Sequence, residues 1–174
     1  MESQANNSFN LPRWLRIVVI GRRPKVTLIR LVVLVIGTII LFSVVLLPVR
    51  VQGPSMEPTY HDGSVNLVNR LAYVRREPQR GDVVAIRFSG FKVMLMKRIV
   101  GRPGETIEFR RGRIYINGEF LEEPYVKQAF RWNSPPETLG SDQYFVVGDN
   151  RAMRQTEHEH GKVDRERIVG KILL

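Results

Sequence analysis

From Leu31 to Val49 the chain runs 19 residues without a charge. At ~1.5 Å per residue such a run makes a helix of roughly 28 Å, close to the ~30 Å hydrocarbon core of a bilayer. Gly37, Thr38 and Ser43 are tolerated inside it, and Pro48 lies at its outer end, where no interior hydrogen bond is lost. A cleaved leader is the competing interpretation. The run exceeds the usual h-region of roughly 7–15 residues. It also ends in large residues (Leu46, Leu47, Val49) rather than an A-x-A site. The pattern therefore predicts a retained membrane anchor over 31–49. The earlier stretch Leu15 to Ile20 is too short to span, and with Trp14 at its edge and basic flanks it is expected to lie in the membrane interface.

Beyond Arg50 the period changes. Val65 to Val68 alternates apolar and polar positions, Asp82 to Phe88 follows a turn at Gly81, and Val93 to Val100 is a longer apolar run. Thr106 to Phe109 and Arg113 to Ile116 flank Arg110-Arg111-Gly112. Asn117-Gly118 is a strong hairpin signal, because both central positions of a type I′ turn require φ > 0. Gln143 to Val147 and Ile168 to Leu173 add two further strands. Short strands this frequent, without an amphipathic helix, predict a mainly β, antiparallel, barrel-like domain. Residues 127–142, with Trp132 and Pro135-Pro136, read as an extended loop, and Val163 to Arg167 has no assignable pattern.

Charge sharpens the topology. The chain has 174 residues and a net charge of +10. Half of that excess precedes the apolar run, where Arg13, Arg16, Arg22, Arg23, Lys25 and Arg30 stand against Glu2. This is the flank expected on the cytoplasmic side of a membrane. The remaining excess is dispersed among acids, which argues against nucleic acid as a partner and for a lipid bilayer. The predicted organisation is a basic cytoplasmic and interfacial segment at 1–30, the anchor at 31–49, and an extracytoplasmic β-rich domain at 50–174. There are no cysteines, which excludes disulfides, a thiol nucleophile and Cys-based metal sites.

Two residues stand out as candidate chemistry. Ser55 lies six positions after the apolar run, between Pro54 and Pro58, which stiffen the chain on both sides. Lys97 is embedded in a hydrophobic strand and shares a face with Val93, Leu95 and Ile99. Burial there disfavours the ammonium form, so Lys97 could serve as a base for a serine nucleophile. By pattern alone, Ser55 is equally a linker serine and Lys97 an edge-strand lysine that snorkels to water. The histidines offer weaker bases. His61 sits beside an Asp62-Gly63 turn, and His158 and His160 lie in a stretch that reads as solvated. A His-x-His metal pair would need a third ligand that nothing singles out. Phe88 and Phe91, around Ser89-Gly90, read equally as outer-leaflet contacts and as core or hairpin residues.

Four segments in order raise the specificity: Ser55-Met56-Glu57-Pro58-Thr59, Arg80-Gly81-Asp82-Val83-Val84, Lys97 through Glu105, and Gly148-Asp149-Asn150-Arg151. Together they resemble the motif boxes of the type I signal peptidase family, from the anchor to the C-terminus. The resemblance implies a membrane-anchored, β-rich serine endopeptidase that removes signal peptides from exported preproteins, without metal or organic cofactor. Ser55 would then be the nucleophile and Lys97 the general base. The Ser55 N–H would donate to the oxyanion. Gly53 stands where some members add a serine donor, and Arg98 and the Gly148–Arg151 box would shape the site. The chain departs from the family after Arg151. Arg154 replaces a serine that normally bonds the lysine, Thr156 an aspartate and His158 an arginine. Arg154 is therefore expected to face solvent or pair with Glu157 or Glu159, and the Thr156 hydroxyl to orient Lys97. Two alternatives remain open: a catalytically silent homologue that binds signal peptides, and a Ser-Lys peptidase with a narrow client.

Overall fold

The computed structural model describes residues 23–89 and 93–173. The stretch Leu15 to Ile20, most of the basic segment, and Phe91 lie outside them. An α-helix, α1 (Pro24–Ile40), starts on a proline at its first turn and continues as a π-helical turn, Leu41–Val45. Among the described residues it is the one helix long and apolar enough to cross a membrane, and none of its side chains is buried by protein. The helical stretch does not run to Val49. Leu46–Arg50 is instead a strand, β1, paired antiparallel with β2 (Val65–Asn69). Uniformly apolar residues conceal this switch, because period 2 and period 3.6 cannot be told apart in such a run.

Among the described residues nine further strands follow: β3 (Val83–Ser89), β4 (Val93–Gly101), β5 (Thr106–Arg110), β6 (Arg113–Ile116), β7 (Glu119–Phe120), β8 (Ser134–Thr138), β9 (Gln143–Val147), β10 (Gly161–Asp164) and β11 (Ile168–Leu173). Seven form an antiparallel sheet in the order β1-β2-β11-β3-β4-β9-β10, and four form a second in the order β7-β6-β5-β8. The architecture is thus mainly β and antiparallel, as the pattern of strands and turns predicts. Asn117 and Gly118 both have positive φ, 52° and 86°, as the I′ hairpin requires.

The segment read as a loop contains β8, an edge strand paired with β5 alone. Its register slips between Ile107 and Phe109, so Pro135 and Pro136 fall where the ladder is interrupted. Proline lacks an N–H and is tolerated at such edges and bulges.

Strand β3 shows why its sequence is almost continuously apolar. Val83 and Ala85 pack with Val51, Met56, Tyr60, Val68 and Ile172. Val84 and Ile86 pack on the opposite face with Ile99, Tyr144, Val146 and Ile168. Successive residues of a strand point to opposite faces, and both faces here are covered. A third cluster draws on both sheets, with Val100, Phe145 and Val147 from the first and Ile107, Phe109, Ile114 and Ile116 from the second, joined by Trp132. Trp132 is 2% exposed and its ring centroid lies 5.7 Å from that of Phe109. Trp132→Ala is expected to lower unfolding free energy by about 3–5 kcal/mol, the usual cost of emptying a large aromatic site. Denaturant melts of the variant and wild type would check this.

Candidate active site

Ser55 sits on the turn between β1 and β2. Gly53 enters that turn at φ 85°, a conformation that favours glycine, and its N–H donates to Asp62 Oδ1 at 2.9 Å. The loop is pinned by Met56 and Tyr60, which plug the core beneath β3. Ser55 itself remains partly open.

Lys97 lies on β4 directly opposite Val84 and is 3% exposed. Its Nζ is 3.0 Å from Ser55 Oγ, so the two candidates, 42 residues apart, meet in one hydrogen bond. Burial pushes the Lys97 pKa down to about 8, with the Glu159 carboxylate acting in the other direction. Arg50 to Met56, Met94 to Lys97, Met153, Glu157 and Glu159 enclose a cleft of ≈ 290 Å³ at this pair.

The segment after β9 closes the site from the other side. Gly148 is buried, and a Cβ there would collide with the Ser55 carbonyl oxygen. The Asn150 N–H donates to that same oxygen at 3.1 Å, and the Asn150 side chain donates to the Pro54 carbonyl at 3.0 Å. Asp149, 1% exposed, accepts two hydrogen bonds from the Arg98 guanidinium, at 2.8 and 2.5 Å, and one from Thr59 Oγ1 at 2.5 Å. The Arg98 guanidinium also covers the Tyr125 ring at 4.0 Å. Arg151, equally buried, pairs with Glu123 at 2.5 Å and donates to the Gly148 carbonyl at 2.9 Å. Glu123 and Tyr125 lie outside the motif boxes, and Thr59, though inside one, has no role assigned by the sequence. The polar partner each buried charge requires is the signal that could have suggested them.

The stretch after Arg151 departs from two expectations and meets a third. Arg154 is exposed, as anticipated. Thr156 is exposed on a 3₁₀ turn, Gln155–Glu157, and among the described residues its hydroxyl reaches no partner, so it does not orient Lys97. His158, read as solvated, is 3% exposed and packs edge-on against Trp132. The 3₁₀ turn turns its own residues outward and carries His158 inward. His160 stacks on the same indole, and His61 is exposed. Among the described residues no group of three His, Asp or Glu side chains is arranged to hold a metal ion.

The family described as "Signal peptidase, peptidase S26" matches residues 25–174. The chain belongs to that family. A signal peptidase I from Bacillus amyloliquefaciens is 37% identical over 134 residues, which cover 71% of this chain and 69% of the relative. Signal peptidase I V of Bacillus subtilis is 32% identical over 155 residues, covering 81% of this chain and 92% of the relative. A Synechocystis protein named "Probable signal peptidase I-2" is 32% identical over 130 residues, covering 71% of this chain. The chain spans 60% of the length of that relative.

The buried Arg98–Asp149 pair gives a stability prediction. Removing one partner leaves the other charge uncompensated, so Arg98→Leu or Asp149→Leu is expected to cost about 3–5 kcal/mol. The double variant should lose less than the two single losses combined. Urea unfolding of all four proteins measures this directly.

Proposed function

We propose that the chain is a membrane-anchored serine endopeptidase that cleaves signal peptides from exported preproteins, with Ser55 as nucleophile and Lys97 as general base. The observation that carries this reading is the 3.0 Å contact between Lys97 Nζ and Ser55 Oγ at the floor of an open cleft. In the neutral form, the Lys97 amine accepts the Ser55 proton while Oγ attacks the scissile carbonyl. The resulting oxyanion accepts from the Ser55 N–H, which among the described residues has no other acceptor. The intermediate collapses as Lys97 returns the proton to the leaving amine. Water deprotonated by Lys97 then hydrolyses the acyl-enzyme.

Strand pairing supports an extended substrate. Among the described residues Met94 to Met96 pair with β3 alone, because β9 joins β4 only from Arg98 onward. The free edge of β4 thus runs beside Ser55, where an extended peptide can add as a further strand. Lipid is the natural solvent for the exposed apolar side chains of Pro24–Val45. With the basic flank cytoplasmic, the β domain lies outside the membrane, where preproteins emerge. A reporter fused after Leu174 and active only in the cytoplasm would overturn that orientation.

Cleavage of a preprotein in detergent or nanodiscs tests the chemistry. Ser55→Ala and Lys97→Met are each expected to abolish most turnover, and the double variant to be no worse than either, because the pair acts as a unit. Near-normal cleavage by Ser55→Ala would sink the mechanism. The pH profile has a definite sign. Lys97 must be deprotonated, so kcat/KM should fall about tenfold per unit as pH drops below about 8. Glu159→Gln removes the carboxylate that favours the ammonium and should move this limb to lower pH.

A further inference from the structure

Among the described residues, only His158 has buried side-chain nitrogens without a hydrogen-bond partner, and both Nδ1 and Nε2 are in that state. One side of the ring lies edge-on to Trp132, with centroids 5.0 Å apart. On the other side Nε2 comes within 2.6 Å of the point where a Gly148 Cβ would stand, and the Ser55 carbonyl oxygen crowds the same point. Only because residue 148 is glycine do the imidazole and the nucleophile's own peptide confront each other across so little space.

Burial keeps the ring neutral, pushing its pKa down to about 3, and the charges of Lys97, His160 and Arg151 act in the same direction. The Ser55 carbonyl alone acts in the other. A neutral imidazole carries one N–H and one lone pair, and its surroundings decide which nitrogen holds the proton. The group beside Nε2 is an acceptor, so Nε2 is the protonated nitrogen. The Ser55 carbonyl already accepts from the Asn150 N–H and has a second lone pair to offer. Packing against Trp132 does not call for nitrogen at all, since a phenyl ring would fill the same space without two unsatisfied polar atoms.

We propose that His158 is a positioning residue whose Nε2–H closes onto the Ser55 carbonyl and, with the Asn150 amide, fixes the peptide that carries the nucleophile. The proposal rests on the reading of Ser55 as nucleophile. It gives a role to a residue that differs from the arginine its family resemblance suggests. The effect is on the Ser55 backbone, which also carries the oxyanion donor, so it bears on turnover more than on substrate affinity.

The test compares wild type, His158→Phe and His158→Gln in the full chain in nanodiscs. His158→Phe keeps the contact with Trp132 but has no donor. It is expected to melt at the same or a higher temperature, with kcat reduced on the order of tenfold to a hundredfold and KM unchanged. His158→Gln places an amide N–H near the lost Nε2–H and should restore most of kcat. Ring ¹⁵N spectra of wild type at neutral pH should show a neutral Nε2–H imidazole, a readout that requires no catalysis. Wild-type kcat in a folded His158→Phe, or a ring protonated on Nδ1, overturns the proposal. A wild type that cuts no preprotein yet carries the Nε2–H signature overturns the peptidase reading and supports the contact.

Discussion

A lysine amine gives up its proton near neutral pH when burial or a neighbouring cation disfavours its charge, and the burial of Lys97 is the constraint that organises this site. Strand β4 sets Lys97 opposite Val84 in the interior of the larger sheet. The turn carrying Ser55 lies over the same region, held down by Met56 and Tyr60. Burying an amine costs stability, because the charged form is lost from solvent. Apolar clusters on both faces of β3 and β4 offset that cost. Without them, Lys97 would be an ordinary exposed lysine, protonated throughout the physiological range.

A second layer of order comes from charges. Thr59, Arg98 and Asp149 belong to three sequence segments and meet in one buried hydrogen-bonded cluster. Such a cluster contributes little net stability compared with well-packed apolar residues. What it does is fix geometry: it ties the Ser55 turn, strand β4 and the segment after β9 to one another at sites where sliding would break three bonds together. The spacing between motifs that looks arbitrary along the chain is therefore the distance each segment travels to reach a common partner.

Most of the strands were legible because turn residues punctuate them and period 2 is visible where one face is polar. Ser55 and Lys97 stood out for local reasons, a proline-stiffened turn and a cation in an apolar strand. Among the features that were not legible, three show why. Strand β1 is hidden in a uniformly apolar run, whose end as a helix depends on pairing with Val65–Asn69. Strand β8 is masked by Pro135-Pro136, whose tolerance depends on an edge position that only the tertiary fold defines. The polar stretch Thr156 to His160 reads as solvated, yet both of its histidines turn onto Trp132. In each case a partner distant in the chain overrides the local signal.

The contact between Gly148 and the Ser55 carbonyl also sets the order of assembly. The turn bearing Ser55 closes on itself, as a local structure, by Ser64. The backbone that clamps it comes 93 residues later, and β11, whose Ile172 packs beneath the turn, comes 117 residues later. Contacts of such long range form late, after the loop entropy between them has been overcome. A nascent chain that has not yet folded residues 148–172 carries Ser55 as an unremarkable loop serine. Under the proposed mechanism, the reactivity of Ser55 is therefore withheld until residues 148–172 have folded onto its turn.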